Sequence, residues 1–318
     1  MTGYAQAFWL DSPGVGVIRP VRLPEPGPGE VLVRTLYSAI SRGTESLVFR
    51  GQVPPSQYEV MRAPFQEGDF PGPLKYGYLS VGVVAQGPAN LLGRNVFCLY
   101  PHQSAYVVPA SAVTVIPEGV PLRRAVLAGT VETAVNALWD AAPLAGDRVT
   151  VVGAGMVGCS VAALLTRFPG VHVQVSDIDP DRATVVETLG AEFVLPEHAA
   201  GERDLVFHTS ATAAGLQRSL ELLAPEGTVI ELSWYGDGQV SLALGGSFHS
   251  RRLTIRGSQV GTISRARRTF ADRMALALDL LSDPVFDVLI TGKSPFTELP
   301  TLMANPPVLC HLISYDGE

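Results

Sequence analysis

Up to residue 120 the apolar positions come in short runs. Residues 30–36 (EVLVRTL), 81–85, 95–100 and 104–108 are four of them, and Pro- and Gly-rich stretches such as 24–29 (PEPGPG) break the chain between runs. Short apolar runs bounded by turn formers predict β-strands. From Pro121 the period lengthens. Residues 122–140 (LRRAVLAGTVETAVNALWD) predict a helix, and strand and helix patterns then alternate over 148–152, 156–168, 172–176, 180–189, 204–209, 215–223 and 228–233. Such alternation implies crossover connections and a parallel sheet covered on both faces, an α/β fold. The helix over 180–189 is punctuated by Asp179 as N-cap, Pro180 at the first helical position and Gly190 just past the end. An arginine-rich helix over 265–281 leads into a proline-rich tail.

The chain has 318 residues, 47% hydrophobic and 17% charged, the composition of a globular protein of about two domains. Its net charge of −7 offers no basic field for nucleic acid or an anionic membrane. Cys98, Cys159 and Cys310 stand far apart, so neither a disulfide framework nor a local cysteine zinc knuckle is expected. The first residues carry no basic and then apolar run, so no signal peptide is expected and the expected location is the cytoplasm. Residues 149–168 are apolar over a length that would span a bilayer, but three glycines near their start make a buried strand and helix the better reading.

Those glycines form Gly153-Ala154-Gly155-Met156-Val157-Gly158, a G-x-G-x-x-G between a predicted strand and a predicted helix. The first glycine permits the tight turn, the second lets a pyrophosphate approach the backbone, and the third lets the helix pack on the strand. N–H groups at the helix start, Met156 and Val157 among them, are expected to face the phosphates. Asp177 ends the next strand, where a carboxylate accepts the adenosine ribose hydroxyls and repels a 2′-phosphate. NAD is the expected cofactor, and Arg182 leaves NADP open because an arginine near this strand end is how a 2′-phosphate is held. Asp177, Asp179 and Asp181 do not make an EF-hand loop, since Arg182 and Thr188 stand where Gly and Glu are needed. Thr209, with His208 and Ser210, ends a later strand and is expected beside the cofactor.

Four segments together, PEPGPGEVLVRT (24–35), YVVPASAVTVIPEGV (106–120), ETAVNAL (132–138) and GAGMVG with its Asp177, resemble the medium-chain dehydrogenase/reductase superfamily of zinc alcohol dehydrogenases and quinone reductases. The resemblance covers nearly the whole chain. It implies a GroES-like β-barrel catalytic domain over 1–125, a Rossmann doubly wound parallel sheet domain over 126–261, and a return to the catalytic domain over 262–318. It further implies a small-molecule substrate in a cleft between the domains and a homodimer formed through the Rossmann sheets. By the same resemblance Arg42 either pairs with the cofactor pyrophosphate or is a solvated surface arginine, the backbone around Ser233 meets the nicotinamide carboxamide, and Glu132 and Thr133 run beneath the nicotinamide. SRGTE, the G-Y-x-S-V-G segment and the SWYGD/FHSRR pairing resemble the bacteriochlorophyllide-dehydrogenase-like group within the superfamily.

The metal ligands of the zinc members do not carry over. Ser41 takes the first ligand position, Tyr78 the second, with Leu79 in place of the adjoining Glu, and the third falls near Gly129. A hydroxyl, a phenol and a glycine do not hold Zn²⁺, so no zinc is expected, with Glu45, Glu132 and His102 as loosely placed alternatives. A protein donor must then hold or protonate the substrate oxygen. Tyr78 is the first candidate, with its pKa lowered beside a cationic nicotinamide, or else a wall residue filling the lost metal's space. Ser41 and Thr44 either donate to the substrate oxygen and relay protons or make a local turn. Glu132 is a buried acid/base or the partner of an arginine, and His102 and His249 titrate near neutrality or are structural. The expected activity is a metal-independent, NAD(P)-dependent oxidoreductase acting on a secondary alcohol/ketone or an activated alkene. The alternatives are an NADPH-dependent quinone or enone reductase and a non-catalytic dinucleotide-binding sensor or scaffold.

Overall fold

The computed structural model describes residues 3–263 and 265–315. The first two residues used in reading the N-terminus, Ser264 and the last three residues of the expected tail lie outside the described residues. The chain divides into two compact units, one of Met1–Gly129 with Leu278–Ser282 and Ile290–Glu318, the other of Thr130–Ala277 with Asp283–Leu289.

The first unit begins with β1 (Tyr4–Ser12), β2 (Val15–Arg22), β3 (Glu30–Ala39), α1 (Arg42–Phe49), β4 (Glu67–Gly68), β5 (Leu74–Lys75), β6 (Ser80–Gln86), β7 (Asn95–Cys98), β8 (Ala105–Pro109), β9 (Val113–Val115) and α2 (Leu122–Ala125). β1 and β2 form an antiparallel hairpin turned at Gly14, whose φ of +80° suits glycine. Alternate residues of the longer strands bury one face: Val31 and Val33, Val84, Val96, Tyr106 and Val108 share a single core. β3 runs past the apolar run that announced it, because its end pairs with β6 through Ser38 opposite Ser80.

The helix expected over 122–140 is two helices, α2 and α3 (Ala128–Ala141). At the break Leu127 N–H donates to the Arg124 carbonyl, an i→i−3 turn. The buried Arg124 side chain donates to the carbonyls of Leu281 and Ser282, which anchors α2 in the first unit.

The second unit continues with β10 (Arg148–Val152), α4 (Met156–Leu165), β11 (His172–Ser176), α5 (Ala183–Thr188), β12 (Glu192–Val194), β13 (Arg203–His208), α6 (Ala213–Leu222), β14 (Leu223–Glu231), α7 (Ser247–Ser250), β15 (Thr254–Gly257) and α8 (Phe270–Leu280). Its six strands are all parallel in the order β12-β11-β10-β13-β14-β15. That order reverses direction between β10 and β13, which makes their C-terminal ends a topological switch point. Val152, Val206, Leu216, Leu220, Leu223 and Val229 fill the core beneath α6. Residues 180–182 form a 3₁₀ turn rather than the first turn of α5, with Asp179 accepting from Asp181 N–H. α8 starts five residues later than its sequence pattern suggested, at a cap in which Asp272 accepts from Thr269. Arg265, Arg267 and Arg268 before it are exposed and have no apolar face to bury.

The chain then returns to the first unit with β16 (Ile290–Pro295), α9 (Leu299–Ala304) and β17 (Cys310–Ser314). β17 pairs antiparallel with β3, so the sheet reads β16-β17-β3-β6-β7-β9 with β8 also on β3. Local pattern did not announce β16 and β17, since their pairing partner lies near the other end of the chain.

Candidate active site

The glycine motif sits where β10 ends and α4 begins. Gly153 has φ +108°, and a Cβ there would meet Thr209 Oγ1 at 2.8 Å and Ser210 N at 2.9 Å. A Cβ at Gly158 would run into the Gly153 carbonyl oxygen, while one at Gly155 would meet nothing within 4 Å. Two glycines are therefore needed for close backbone approach, and the third leaves the turn open on one side. Gly155 is the N-cap of the ten-residue α4 with no side-chain cap, so the first-turn N–H groups, those of Met156 and Val157 among them, have no intrahelical acceptor. Asp177 Oδ2 accepts from Ala154 N–H at 2.6 Å and Oδ1 from Asp179 N–H at 2.9 Å. The acid at the end of β11 thus lies against the glycine turn. Arg182 is tied to Asp179, Nε to Oδ2 at 3.0 Å. A glycine turn open on one side, helix N–H groups without intrahelical acceptors and an adjacent carboxylate are the chemistry that suits a dinucleotide.

Thr209 clamps this turn, its hydroxyl donating to the carbonyls of Val152 and Gly153 at 3.1 and 2.9 Å. Ser233 accepts from Ala211 N–H at 3.0 Å, and its own N–H donates to Glu231 Oε1 at 2.7 Å. Glu231 had no role in the sequence reading. It binds the fully buried His208, whose Nδ1 lies 2.8 Å from Oε2, and accepts from Tyr235 OH at 3.0 Å. The only signal for it was an acid closing the strand that precedes Ser233.

In the first unit three expected residues meet. The Tyr78 phenol donates to Ser41 Oγ at 2.8 Å and is hydrogen-bonded to Thr44 as well. Ser41 is the N-cap of α1, but its hydroxyl does not cap. Glu45 accepts from the Ser41 N–H at 2.8 Å, and the Ser41 hydroxyl accepts from Tyr78. The other Glu45 oxygen lies 2.9 Å from His102 Nε2, His102 Nδ1 lies 2.8 Å from Ser38 Oγ, and Ser38 Oγ lies 2.8 Å from Tyr315 OH. Glu45 and His102 are both buried. Ser38 and Tyr315 went unnoticed in the sequence, and a pair 277 residues apart leaves no local signal. His102 is thereby a member of a buried chain, while His249 is exposed on α7. Arg42 is exposed at the start of α1.

Burial and the Glu45 charge push the pKa of the Tyr78 phenol up to about 12, against the lowering by Ser41 and Thr44. It is a neutral phenol, a donor, at physiological pH. Of its two readings, Glu132 takes that of an arginine's partner. Its carboxylate accepts from Arg273 Nε at 3.0 Å, and Arg273 also donates to Asn136 Oδ1 and to the carbonyls of Val260 and Thr262. Burial pushes the Glu132 carboxyl above its usual range, against the lowering by Arg273.

At Gly129, expected near the third ligand position, a Cβ would meet Leu79 Cδ2 at 2.5 Å and Phe97 Cζ at 3.7 Å. Among the described residues no group of three or more His, Cys, Asp or Glu could hold a metal ion, and the three cysteines are free and buried. No helix among them is long and apolar enough to cross a membrane.

No family model matches the chain. It is 29% identical over 302 residues to 2-desacetyl-2-hydroxyethyl bacteriochlorophyllide A dehydrogenase of Rhodobacter capsulatus, covering 87% of this chain and 86% of the relative. It is 25% identical over 290 residues to L-threonine 3-dehydrogenase of Pyrococcus horikoshii, covering 79% and 82%. Among solved structures, an alcohol dehydrogenase of E. coli CFT073 complexed with NADH superposes with a TM-score of 0.79 at 18% identity, over 98% of this chain and 99% of the other. A zinc-binding dehydrogenase of Sinorhizobium meliloti 1021 bound to NADP gives 0.80 at 20% identity, over 98% and 100%. A Rossmann-ordered parallel sheet, a second unit of antiparallel and mixed sheets, and dehydrogenase relatives along most of the chain make this protein similar in fold and sequence to the medium-chain dehydrogenase/reductase, alcohol dehydrogenase-like superfamily.

Proposed function

We propose that the protein is a nicotinamide-dependent dehydrogenase of a secondary alcohol or ketone that works without zinc. The observation carrying this reading is the β10–α4 turn, with Gly153 and Gly158 forced by backbone contacts, Gly155 open, and Asp177 bonded to the turn itself. The turn and the α4 N-terminus would hold the pyrophosphate, and Asp177 the adenosine ribose. When bound, the nicotinamide supplies or accepts the hydride. The chain's own task is then the proton on the substrate oxygen. Tyr78 is suited to donate it as a neutral phenol, with Ser41 and Thr44 holding the phenol in place. NAD is preferred over NADP because Asp177, beside the turn, would meet a 2′-phosphate with a like charge, and Arg182 is occupied by Asp179. The donor chemistry of Ser41, Tyr78 and Gly129 supports the metal-free part, and the homodimer belongs to the same reading.

Titration with NADH and NADPH, followed by hydride exchange against a panel of carbonyls and enones, tests the proposal. NADH should bind more tightly, and Asp177→Asn should narrow the difference about tenfold, a loss near 1.4 kcal/mol of discrimination. Tight binding with no turnover across the panel would favour a sensor, and stoichiometric zinc in protein purified without chelators would overturn the metal-free mechanism. Tyr78→Phe is expected to lower kcat/KM roughly 100-fold while leaving NADH binding intact. Because the Tyr78 pKa is pushed up to about 12, the wild-type profile should show no loss of a phenolic proton between pH 6 and 10.

A further inference from the structure

Beyond the glycine turn, the C-terminal ends of β13 and β14 hold a serine, a histidine and a carboxylate in sequence. Ser210 Oγ lies 2.7 Å from His208 Nε2, and His208 Nδ1 lies 2.8 Å from Glu231 Oε2. Burial pushes the Glu231 carboxyl up, but its bonds to His208 and to Ser233 outweigh this and hold it below the ordinary range. An ionised carboxylate only accepts, so His208 carries its proton on Nδ1 and presents the Nε2 lone pair to the Ser210 hydroxyl. Tyr235 stacks along the imidazole, ring centroids 6.5 Å apart at 20°, and donates to Glu231, which fixes both partners. The ring is fully buried, yet Ser210 is partly exposed and the residues after it, Ala211 to Ala214, are exposed. A Cβ at Gly215 would collide with Ser210 Oγ and come within 2.9 Å of His208 Nε2, so this glycine makes room for the pair.

We propose that Ser210, His208 and Glu231 form an acyl-transfer site that hydrolyses small carboxylic esters, an activity separate from the dehydrogenase reaction. Hydrogen-bonded nucleophile, base and orienting acid are the three parts such chemistry needs. Ser210 Oγ attacks the ester carbonyl carbon as its proton passes to His208 Nε2. The C–O bond to the leaving alcohol breaks, and that alcohol takes the proton from His208. Water, deprotonated by the same nitrogen, then attacks the acyl-enzyme and frees the acid and Ser210. No electron changes owner in either half. α6 begins three residues after Ser210; Thr212 Oγ1 caps the Gly215 N–H, and the Ala213 and Ala214 N–H groups ahead of it, which have no intrahelical acceptor, would serve the developing oxyanion. The small exposed side chains of Ala211, Ala213 and Ala214 favour short acyl groups over long ones. Glu231 is a positioning residue.

The test uses the full chain without added dinucleotide, with p-nitrophenyl acetate as substrate and a fluorophosphonate as covalent probe. Wild type should hydrolyse the ester and take up the probe at Ser210, read by peptide mass. Ser210→Ala should abolish labelling, and His208→Gln should slow hydrolysis at least about 100-fold. Glu231→Gln should lower kcat with little change in KM, and Glu231→Asp should restore part of it, a pattern that a merely structural role would not give. NADH binding to the wild type is measured in parallel, so failure of this site and failure of the dehydrogenase reading are distinguishable. Absence of labelling in folded wild type, or equal labelling and hydrolysis in Ser210→Ala, would overturn the proposal.

Discussion

Replacing Gly158 by alanine is expected to weaken NADH binding roughly 100-fold, about 2.7 kcal/mol, with the fold of the first unit intact. The added methyl would strike the Gly153 carbonyl oxygen and come within 2.7 Å of Thr209 Oγ1. Neither yields easily. The carbonyl is backbone at the end of a central strand, and Thr209 is already donating to the carbonyls of Val152 and Gly153. The turn must therefore shift, and with it the Ala154 N–H that Asp177 accepts, so the phosphate and ribose contacts fail together. Gly155→Ala is the control. A Cβ there meets nothing within the protein, so that variant should keep its stability and lose affinity only through what the methyl displaces in the bound dinucleotide. Fluorescence titration of NADH with thermal melts on both variants checks the pair. Equal affinity of Gly158→Ala and wild type would remove the assignment of this turn.

The second large effect is on stability. Arg273 is among the largest fully buried side chains of the protein, and its guanidinium joins α8 to Glu132 and Asn136 on α3 and to the carbonyls of Val260 and Thr262. Arg273→Met keeps much of the volume but leaves a buried carboxylate and two carbonyls without their donor, a loss of about 3–5 kcal/mol. Glu132→Gln in the same chain should recover part of it, because the uncompensated charge is then gone. The pH dependence has a definite sign. The Glu132 carboxyl is already raised in the folded protein, and removing Arg273 raises it further. A raised carboxyl makes the folded state bind more protons than the unfolded one, so stability falls as pH rises above the ordinary carboxyl value near 4.3. Urea melts should find the deficit of Arg273→Met smallest near pH 4 and growing toward neutrality. A deficit independent of pH would mean that the ion pair contributes only packing.

Much of the second unit was legible in the sequence. Strands β10, β11 and β13 and helices α4 and α6 fall within a few residues of the apolar runs that announced them, because a central parallel strand is buried on both faces and reads as one apolar run. The 122–140 segment was harder. Its helical pattern is continuous, and the break at Leu127 follows from Arg124 being drawn to the carbonyls of Leu281 and Ser282, far away in sequence. The tail shows the same limit: β17 is a strand because β3 offers it an edge.

The glycine turn between β10 and α4, and the acid that follows it on the next strand, were legible in the sequence alone. Glycine spacing, strand before and helix after are local signals within one strand–turn–helix unit, so they show along the sequence even though Thr209 later clamps the turn. Tertiary structure decided what the polar side chains do. Tyr78, Ser41 and Thr44 came together as expected of neighbours on one site, yet the charge that raises the phenol comes from Glu45, and Glu45 is itself held by His102. Glu132 faced a choice between acid/base and ion pair, and an arginine 141 residues away made it. His208 met its carboxylate only when β13 and β14 lay side by side. Such partners are chosen by packing in three dimensions, and a hydrogen bond between residues distant along the chain leaves no period for a sequence to display.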